Sequence, residues 1–516
     1  MSTTELEVKL ELDKESVSRL PEKEALRRMS LGHPARKKLQ STYYDTAAHR
    51  LRDEAASLRI RWDGRNWVQT LKYGTRVEHG VSNPVEIECV LQAPQLELDR
   101  IDDPDIKPWL SSVLSEGPLE PVFETDIDRD IHLLRCDDIG TVELAIDKGA
   151  VRNPEGSADI NEVELELKSG LPFALLTVSE LLFDGERITA STVSKAERGY
   201  ALSRPPGDAA IGGVHAHRPV LDADWPAGKA FKTIGRSAAG QVLDNWILLS
   251  HSDDSEVPHQ LRIGLRRLRV CLKVFQSYLT SKDLQRLARE ARDMGRIVGD
   301  LRNTDVLFED IAQPAIEALG TDKNHRAMLK HLDKNRQRLR RQVRKSLGTK
   351  RWTHFKLNCM LFEQALDRAF LGAATPPPDE SVRTASAREL ERMWHKVQKK
   401  GRNFADHSIE QRHELRKTLK SMRYTSEHFL QLYPGEDPGL FFSKLKQLQN
   451  VFGYLNDVAI AEELEAAISK DLPRRKDLRH SMGEIVAWHR DRSDKAMQKA
   501  DRRWNKLMQT EKFWRT

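Results

Sequence analysis

A period of two organises the first two hundred residues of this chain. Glu5-Leu6-Glu7-Val8-Lys9 sets two acids and a lysine at alternate positions, with Leu6, Val8 and Leu10 between and beyond them. Residues i, i+2 and i+4 of a strand point the same way, so the charges share one face and the apolar residues the other. Later runs repeat the device. Arg59 and Arg61 alternate with Leu58 and Ile60, and Lys72 ends the run 68–72. Glu86 and Glu88, Glu143 and Asp147, and Glu162, Glu164 and Glu166 fall on shared faces of further runs. One such strand reads as a half-solvated edge, because antiparallel sheets often keep one wet face. Five or more, each dominated by one sign of charge, read differently. Closed into a barrel, they would turn both signs into one lumen and pack their apolar faces outward.

Such a lumen selects its guest. Crowded carboxylates repel and raise one another's pKa unless cations join them. Arg and Lys from neighbouring strands would relieve that repulsion, as would a divalent ion. Mg²⁺ or Mn²⁺ suits all-oxygen ligands, and the basic strands suit phosphate oxygens. A phosphoanhydride bridged by metal fits this chemistry.

At 516 residues the chain needs more than one core. Its net charge of +6 conceals an acidic half and a basic half: residues 1–204 sum to −11 and residues 205–516 to +17. The Pro- and Gly-rich stretch 203–228 separates them, and beyond it the periodicity becomes helical. "TPPPDE" at 375–380 divides the helical part in two. The expected domains are 1–204, a linker at 205–225, and 226–516 with repeats at about 226–372 and 380–516, each half folding alone. The repeats share an offset of 154 residues. It carries His259, Leu261, Arg262, Leu265, Arg269 and Phe275 onto His413, Leu415, Arg416, Leu419, Arg423 and Phe429.

His259, Arg262, Arg266, Arg269 and Lys273 form one helix stripe, and His413, Arg416, Lys420 and Arg423 repeat it. A charged stripe is ordinarily a solvated face laced with i,i+4 pairs. Residues 258–275, however, contain no acid, and unrelieved like charge points to a polyanion. Aromatic residues do not interleave the first stripe, and only Tyr424 accompanies the second, so base stacking and nucleic acid have little support. The basic run 336–345 reads as a solvated helix face. Cys89, Cys136, Cys271 and Cys359 show no paired spacing, and no apolar run is long enough to span a membrane. With no basic-apolar leader, a soluble cytoplasmic protein is expected.

Several motifs carry a resemblance. "ELEVK", "YYDT" (43–46), "LRIR" (58–61), "TLK" (70–72), "ELAID" (143–147), "EVELEL" (162–167) and "SKAERGY" (194–200) resemble the CYTH, or triphosphate tunnel metalloenzyme, superfamily across about residues 3–203. The basic helices, with "GDLRNTDVL" (299–307) and "FGYLNDVAI" (452–460), resemble the CHAD domain across roughly 226–516. The resemblance implies an α+β multidomain chain. Its N-terminal part would be an eight-stranded antiparallel β-barrel tunnel, followed by an all-α duplicated helical bundle.

It further implies an inorganic triphosphatase using Mg²⁺ or Mn²⁺, with catalytic Glu5, Glu7 and Lys9. Metal would sit on Glu5, Glu7, Glu162 and Glu164. Substrate would meet Lys9, Arg59, Arg61, Lys72, Glu86, Glu88, Arg129 and Lys195, with Asp147 lining the tunnel. Arg198 is as well suited to a structural ion pair. Inorganic polyphosphate would be held by His259, Arg262, Arg266, Arg269, Lys273, His413, Arg416, Lys420 and Arg423. The cytoplasm, including polyphosphate granules, is the expected location. The alternatives are a polyphosphate receptor with an inactive tunnel, an adenylate cyclase, and a nucleoside or thiamine triphosphatase.

Overall fold

The computed structural model describes residues 3–4, 6–74, 80–82, 85–115, 117–191, 193–203, 212–276, 281–371, 380–435, 437–471 and 474–515. The chain forms two compact units, Met1–Ala210 with Gly348–Arg368, and Ile211–Leu347 with Ala369–Thr516.

The first unit is built on one antiparallel sheet. Its strands are β1 (Thr3–Thr4), β2 (Glu7–Glu11), β3 (Ala35–Thr46), β4 (Ala56–Trp62), β5 (Trp67–Tyr73), β6 (Val81–Ser82), β7 (Val85–Leu91), β8 (Leu119–Cys136), β9 (Gly140–Asn153), β10 (Gly156–Gly170) and β11 (Thr189–Ala190). They bond in the order β1-β7-β5-β4-β3-β8-β9-β10-β2-β11, with β6 on β2. The N-terminal stretch holds both sides of this order: Thr3 and Thr4 pair with β7, and Glu7–Glu11 pair with β10. Eight strands have five residues or more, the number expected for the tunnel wall.

Alternation divides the two faces as the sequence requires. Val8, Leu10, Leu144, Val163 and Leu165 are fully buried on the outer side. Helix Ala174–Phe183 packs over β9 and β10 and buries Leu175, Leu176, Val178 and Leu182. Leu58 and Leu71 join Ile106, Leu110 and Val113 in a second outer cluster, against helix Lys107–Leu114. Each such side chain contributes roughly 1.5–3 kcal/mol by leaving water. The charged residues between them are left facing inward.

Two motif residues tie the ends of this unit together. Asp45 is fully buried and accepts backbone N–H bonds from Thr46, Leu51 and Arg52. The Tyr200 hydroxyl donates to its Oδ2 at 2.6 Å. That bond fastens helix Lys195–Leu202 to the end of β3, and with it the lysine that begins the helix.

Residues 348–368 require a correction to the expected boundaries. They lie between the helical repeats in sequence but belong to the first unit, where helix Thr353–Met360 packs on helix Ala174–Phe183. A fragment ending at residue 204 therefore lacks part of its own unit. A short apolar helix bears no mark in its sequence of which core it will join.

The second unit is helical among its described residues. The offset of 154 residues carries Ala227–Leu249, Glu256–Val274, Lys282–Val306 and Lys323–Leu347 onto Val382–Lys400, Ile409–Phe429, Asp437–Asp471 and Lys476–Met508. Elements from both repeats share one core, in which Leu307, Ile311, Met328 and Leu332 meet Val458, Met482, Ile485 and Val486. No described helix is long and apolar enough to cross a membrane.

The Asp45–Tyr200 bond is testable. Tyr200→Phe removes a buried donor and leaves the carboxylate short of a partner, so stability should fall by about 1–3 kcal/mol. A denaturant midpoint unchanged from that of the parent protein would show the bond contributes nothing.

Candidate functional sites

The inward faces of the sheet enclose a cavity of about 330 Å³. Of the residues expected from sequence, Glu7, Lys9, Arg59, Arg61, Lys72, Glu86, Glu88, Arg129, Glu164 and Lys195 line it. Glu5 lies outside the described residues. Tyr43, Glu143, Glu166 and Lys168 also line the cavity and were not among the expected ligands. "YYDT" held the signal for Tyr43, whose hydroxyl accepts from Arg59 Nη1 at 3.2 Å. Burial opposes ionisation of this phenol, yet Arg59, Lys195 and Lys72 together prevail and lower its pKa.

One wall is basic. Lys72 Nζ stands 2.8 Å from Glu86, Arg59 3.7 Å from the same carboxylate, and Arg61 3.1 Å from Glu88. Arg59 beside Arg61, together with burial, drops the Arg61 pKa to about 10. The guanidinium pair is thus under mutual repulsion that an anion would relieve.

The other wall is acidic. Asp147 and Glu162 are directly paired across β9 and β10, and both are fully buried. With Glu164 they place three carboxylate oxygens within 4.8 Å of one another. Lys195 Nζ reaches all three, at 2.9, 2.7 and 2.8 Å. Arg129 bridges Asp147 at 2.5 Å and Glu164 at 2.7 Å, and Lys9 meets Glu164 at 2.9 Å and Glu7 at 3.1 Å. Burial alone would raise the acids, but Lys195 leads the cations that hold Asp147 and Glu164 below the ordinary carboxylate range. Burial likewise opposes the charge on Lys195, and Asp147, Glu162 and Glu164 overcome it. At Glu166, burial and the nearby Glu143 and Glu7 prevail over Lys168 and raise the pKa.

The register of β2 on β10 fixes which of the expected metal residues meet. Glu162 lies across from Glu11, Glu164 from Lys9, and Glu7 from Glu166. Glu162 and Glu164 therefore assemble with Asp147, while Glu7 stands further along the same face. Asp147 was expected to line the tunnel and instead lies behind its surface. Arg198 pairs with Glu11 and does not line the cavity. The donor set fits a hard divalent cation: the ligand atoms are all oxygen, and the buried Oε1 of Glu162 has no hydrogen-bond partner among the described residues.

The helical unit holds a second site. A cavity of about 770 Å³ is lined by His259, Arg262 and Arg266 from one repeat and His413, Arg416 and Lys420 from the other. Arg302, Lys417 and Tyr424 join them. Arg269, Lys273 and Arg423 do not line it. Arg269 feels Arg292 and Arg296, Lys273 borders a separate hollow beside Arg388 and Arg392, and Arg423 lies 4.4 Å over the Tyr424 ring. Repeat symmetry extends to the partners: Arg262 donates to Asn303 at 3.3 Å, and Arg416 stands 3.8 Å from Asp457, the equivalent residue.

Burial, followed by Arg416, Arg266 and Arg262, brings Lys420 down to a pKa of about 6. Burial and then Arg266 and Arg416 bring Arg262 to about 10. The basic run 336–345 serves the fold: Arg336 binds Asp305 and Glu309, and Arg344 binds Leu249 O, Ser252 O and Asp253.

Comparison with known proteins gives both units a family. Residues 3–200 match the CYTH domain, and residues 233–466 match the CHAD domain. An inorganic triphosphatase of Haemophilus influenzae is 32% identical over 165 residues, covering 32% of this chain and 46% of that protein. The chain thus spans about half the length of that relative. An uncharacterized protein of Mycobacterium tuberculosis is 22% identical over 405 residues, 75% of each chain. The CHAD domain of the plant Ricinus communis has a TM-score of 0.47 at 23% identity, covering 57% of this chain and 97% of that one. A Hippeastrum protein, named as a candidate adenylyl cyclase with a dominant triphosphatase activity, has a TM-score of 0.27 at 20% identity, covering 39% and 98%. The chain is a CYTH–CHAD protein, with the charged tunnel in its CYTH domain and the basic cavity in its CHAD domain.

Proposed function

We propose that the tunnel hydrolyses inorganic triphosphate to diphosphate and phosphate with Mg²⁺ or Mn²⁺, and that the CHAD cavity binds inorganic polyphosphate. The observation that carries the first half is the opposition, across one cavity, of a basic wall and an acidic wall whose Glu164 belongs to a buried carboxylate triad. The name of the Haemophilus relative supports it. Cys89, Cys136 and Cys271, which form no disulfide, accord with a cytoplasmic setting.

Arg59, Arg61 and Lys72 would take the phosphate oxygens, exchanging Glu86 and Glu88 for a more highly charged partner. Lys9, Arg129 and Lys195, which line the cavity among the acids, would meet the negative charge that shifts as a phosphoanhydride bond breaks. Cations already fixed by their neighbours stabilise that charge without reorganising. Asp147, Glu162 and Glu164, extended by Glu7 and Glu5, would hold the divalent ion. When bound, it supplies charge neutralisation and a more acidic water.

In the CHAD cavity the carrying observation is that both stripes converge on it and that, although Asp310, Glu410, Glu414, Asp457 and Glu463 also line it, Arg262, Arg266 and Lys420 have no ion-pair partner among the described residues. Tyr424 is the one Phe, Tyr or Trp among the described lining residues. Arg266 and Arg423 lie over its ring, which leaves little face for a base.

Phosphate release should be fast with triphosphate and metal, slower with ATP or thiamine triphosphate, and absent with chelator. Glu162→Gln and Glu164→Gln should each lower the rate by about 100-fold or more. Equal rates on all three substrates would reject the assignment to inorganic triphosphate.

Lys195→Met should leave three buried acids without their shared cation and destabilise the CYTH domain by about 3–5 kcal/mol. Mn²⁺ should then raise the melting temperature of the variant more than that of the parent. Asp147 and Glu164, held low in the parent, add stability that is complete above ordinary carboxylate pKa values. It is lost as pH falls through their depressed values, and this acid limb should shrink in the variant. No differential Mn²⁺ effect would remove the triad from metal binding.

For polyphosphate, Arg262→Ala with Arg266→Ala should weaken binding by about 100-fold. Arg338→Ala with Arg341→Ala changes net charge equally and should do far less. Anion binding favours protonated Lys420, whose pKa in the free protein is about 6. Affinity should therefore fall as pH rises above 6, by at most about tenfold per pH unit, and Lys420→Arg should flatten the slope. Equal losses in the two double variants at fixed ionic strength would leave a general basic surface in place of a site.

A further inference from the structure

We propose that helix Thr353–Met360 is a brace that positions Lys9 in the tunnel. β10 holds one edge of β2, and on the opposite edge two segments flank the backbone of Lys9. Its N–H donates to Gly80 O at 2.6 Å, and its carbonyl accepts from Ser191 N–H at 3.0 Å. The strands supplying those flanks are minimal, since β6 and β11 have two residues each. Ladders this short hold little by themselves.

The helix touches both flanks. Met360 Cε lies 2.5 Å from where a Cβ on Gly80 would stand, and Gly80 has a φ of +81°. The methionine thus packs directly on the backbone whose carbonyl holds Lys9. On the other flank, Lys356 Nζ donates to Ile188 O at 2.7 Å, and the Thr353 hydroxyl donates to Glu186 O. Ile188 immediately precedes β11, which pairs with Leu10 and Glu11. The brace is itself anchored: Asn358 and Arg368 each donate to the Glu180 carboxylate at 2.7 Å, and Phe355 and Leu357 are fully buried. Its effect on turnover rests on the triphosphatase reading of the tunnel. A lysine between Glu7 and Glu164 contributes only while its strand keeps register and depth, and small displacements of such groups are felt in rate.

The test uses the full-length chain. Met360→Ala should accelerate amide hydrogen exchange at Lys9 by about tenfold or more as the Gly80 turn loosens. It should lower kcat on triphosphate by about tenfold while circular dichroism stays unchanged. Met360→Leu, which conserves volume, should keep both near the parent values. In a Lys9→Ala background, Met360→Ala should produce no further loss of rate. If Met360→Ala does not fold, Lys356→Met, read at the Lys9 and Ser191 amides, asks the same question. Unchanged exchange at Lys9, or an undiminished loss of rate in the Lys9→Ala background, overturns the brace. A parent protein that fails to turn over triphosphate overturns the triphosphatase reading, and the exchange measurement still decides the brace.

Discussion

The CYTH domain depends on the ion cluster centred on Lys195. Closing the sheet buries Asp147, Glu162 and Glu164 side by side, and an uncompensated buried carboxylate costs several kcal/mol. One ammonium within 2.9 Å of all three, with Arg129 and Lys9 beside it, makes that arrangement tolerable. Much of the unit can be seen as serving this point. The Ser194 cap and the Tyr200–Asp45 bond hold the helix that carries Lys195, and the pairing of β9 with β10 brings the acids together.

The CHAD cavity presents the opposite electrostatic condition. There burial and then mutual repulsion weigh on the cations, and both lower the pKa values of Lys420 and Arg262. Asp457 moderates Arg416, whereas Asn303, in the equivalent place, leaves Arg262 without a carboxylate partner among the described residues. A site built this way gains by accepting negative charge, and the gain is larger for a ligand that meets several cations at once.

The two sites therefore handle phosphate chemistry in different ways. The tunnel sets a basic wall against an acidic one, the arrangement needed to hold an anion and a cation together. The helical cavity pools cations from two repeats, and among the described residues its carboxylates form no group of three close enough to share a metal ion. The proposed division between turnover and binding follows from that difference in charge balance.

Local pattern carried much of this in the sequence. Side-chain direction alternates with a period of two along any strand, so Leu58, Arg59, Ile60 and Arg61 declare their faces before any partner strand is known. The 154-residue repeat likewise predicts equivalent helices, because like sequences adopt like local structure. Tertiary structure alone decided what depends on register and packing between distant segments. A sheet can slide by two residues without turning a side chain over, so alternation could not say that Glu162 faces Glu11 or that Glu7 faces Glu166. A helical stripe curves around its axis, so Arg269, Lys273 and Arg423 leave the cavity that Arg262 and Arg416 share. Helix Thr353–Met360 joined the CYTH core, and not the helical one surrounding it in sequence, because its buried face meets helix Ala174–Phe183 and the flanks of β2. That complementarity exists only between folded surfaces.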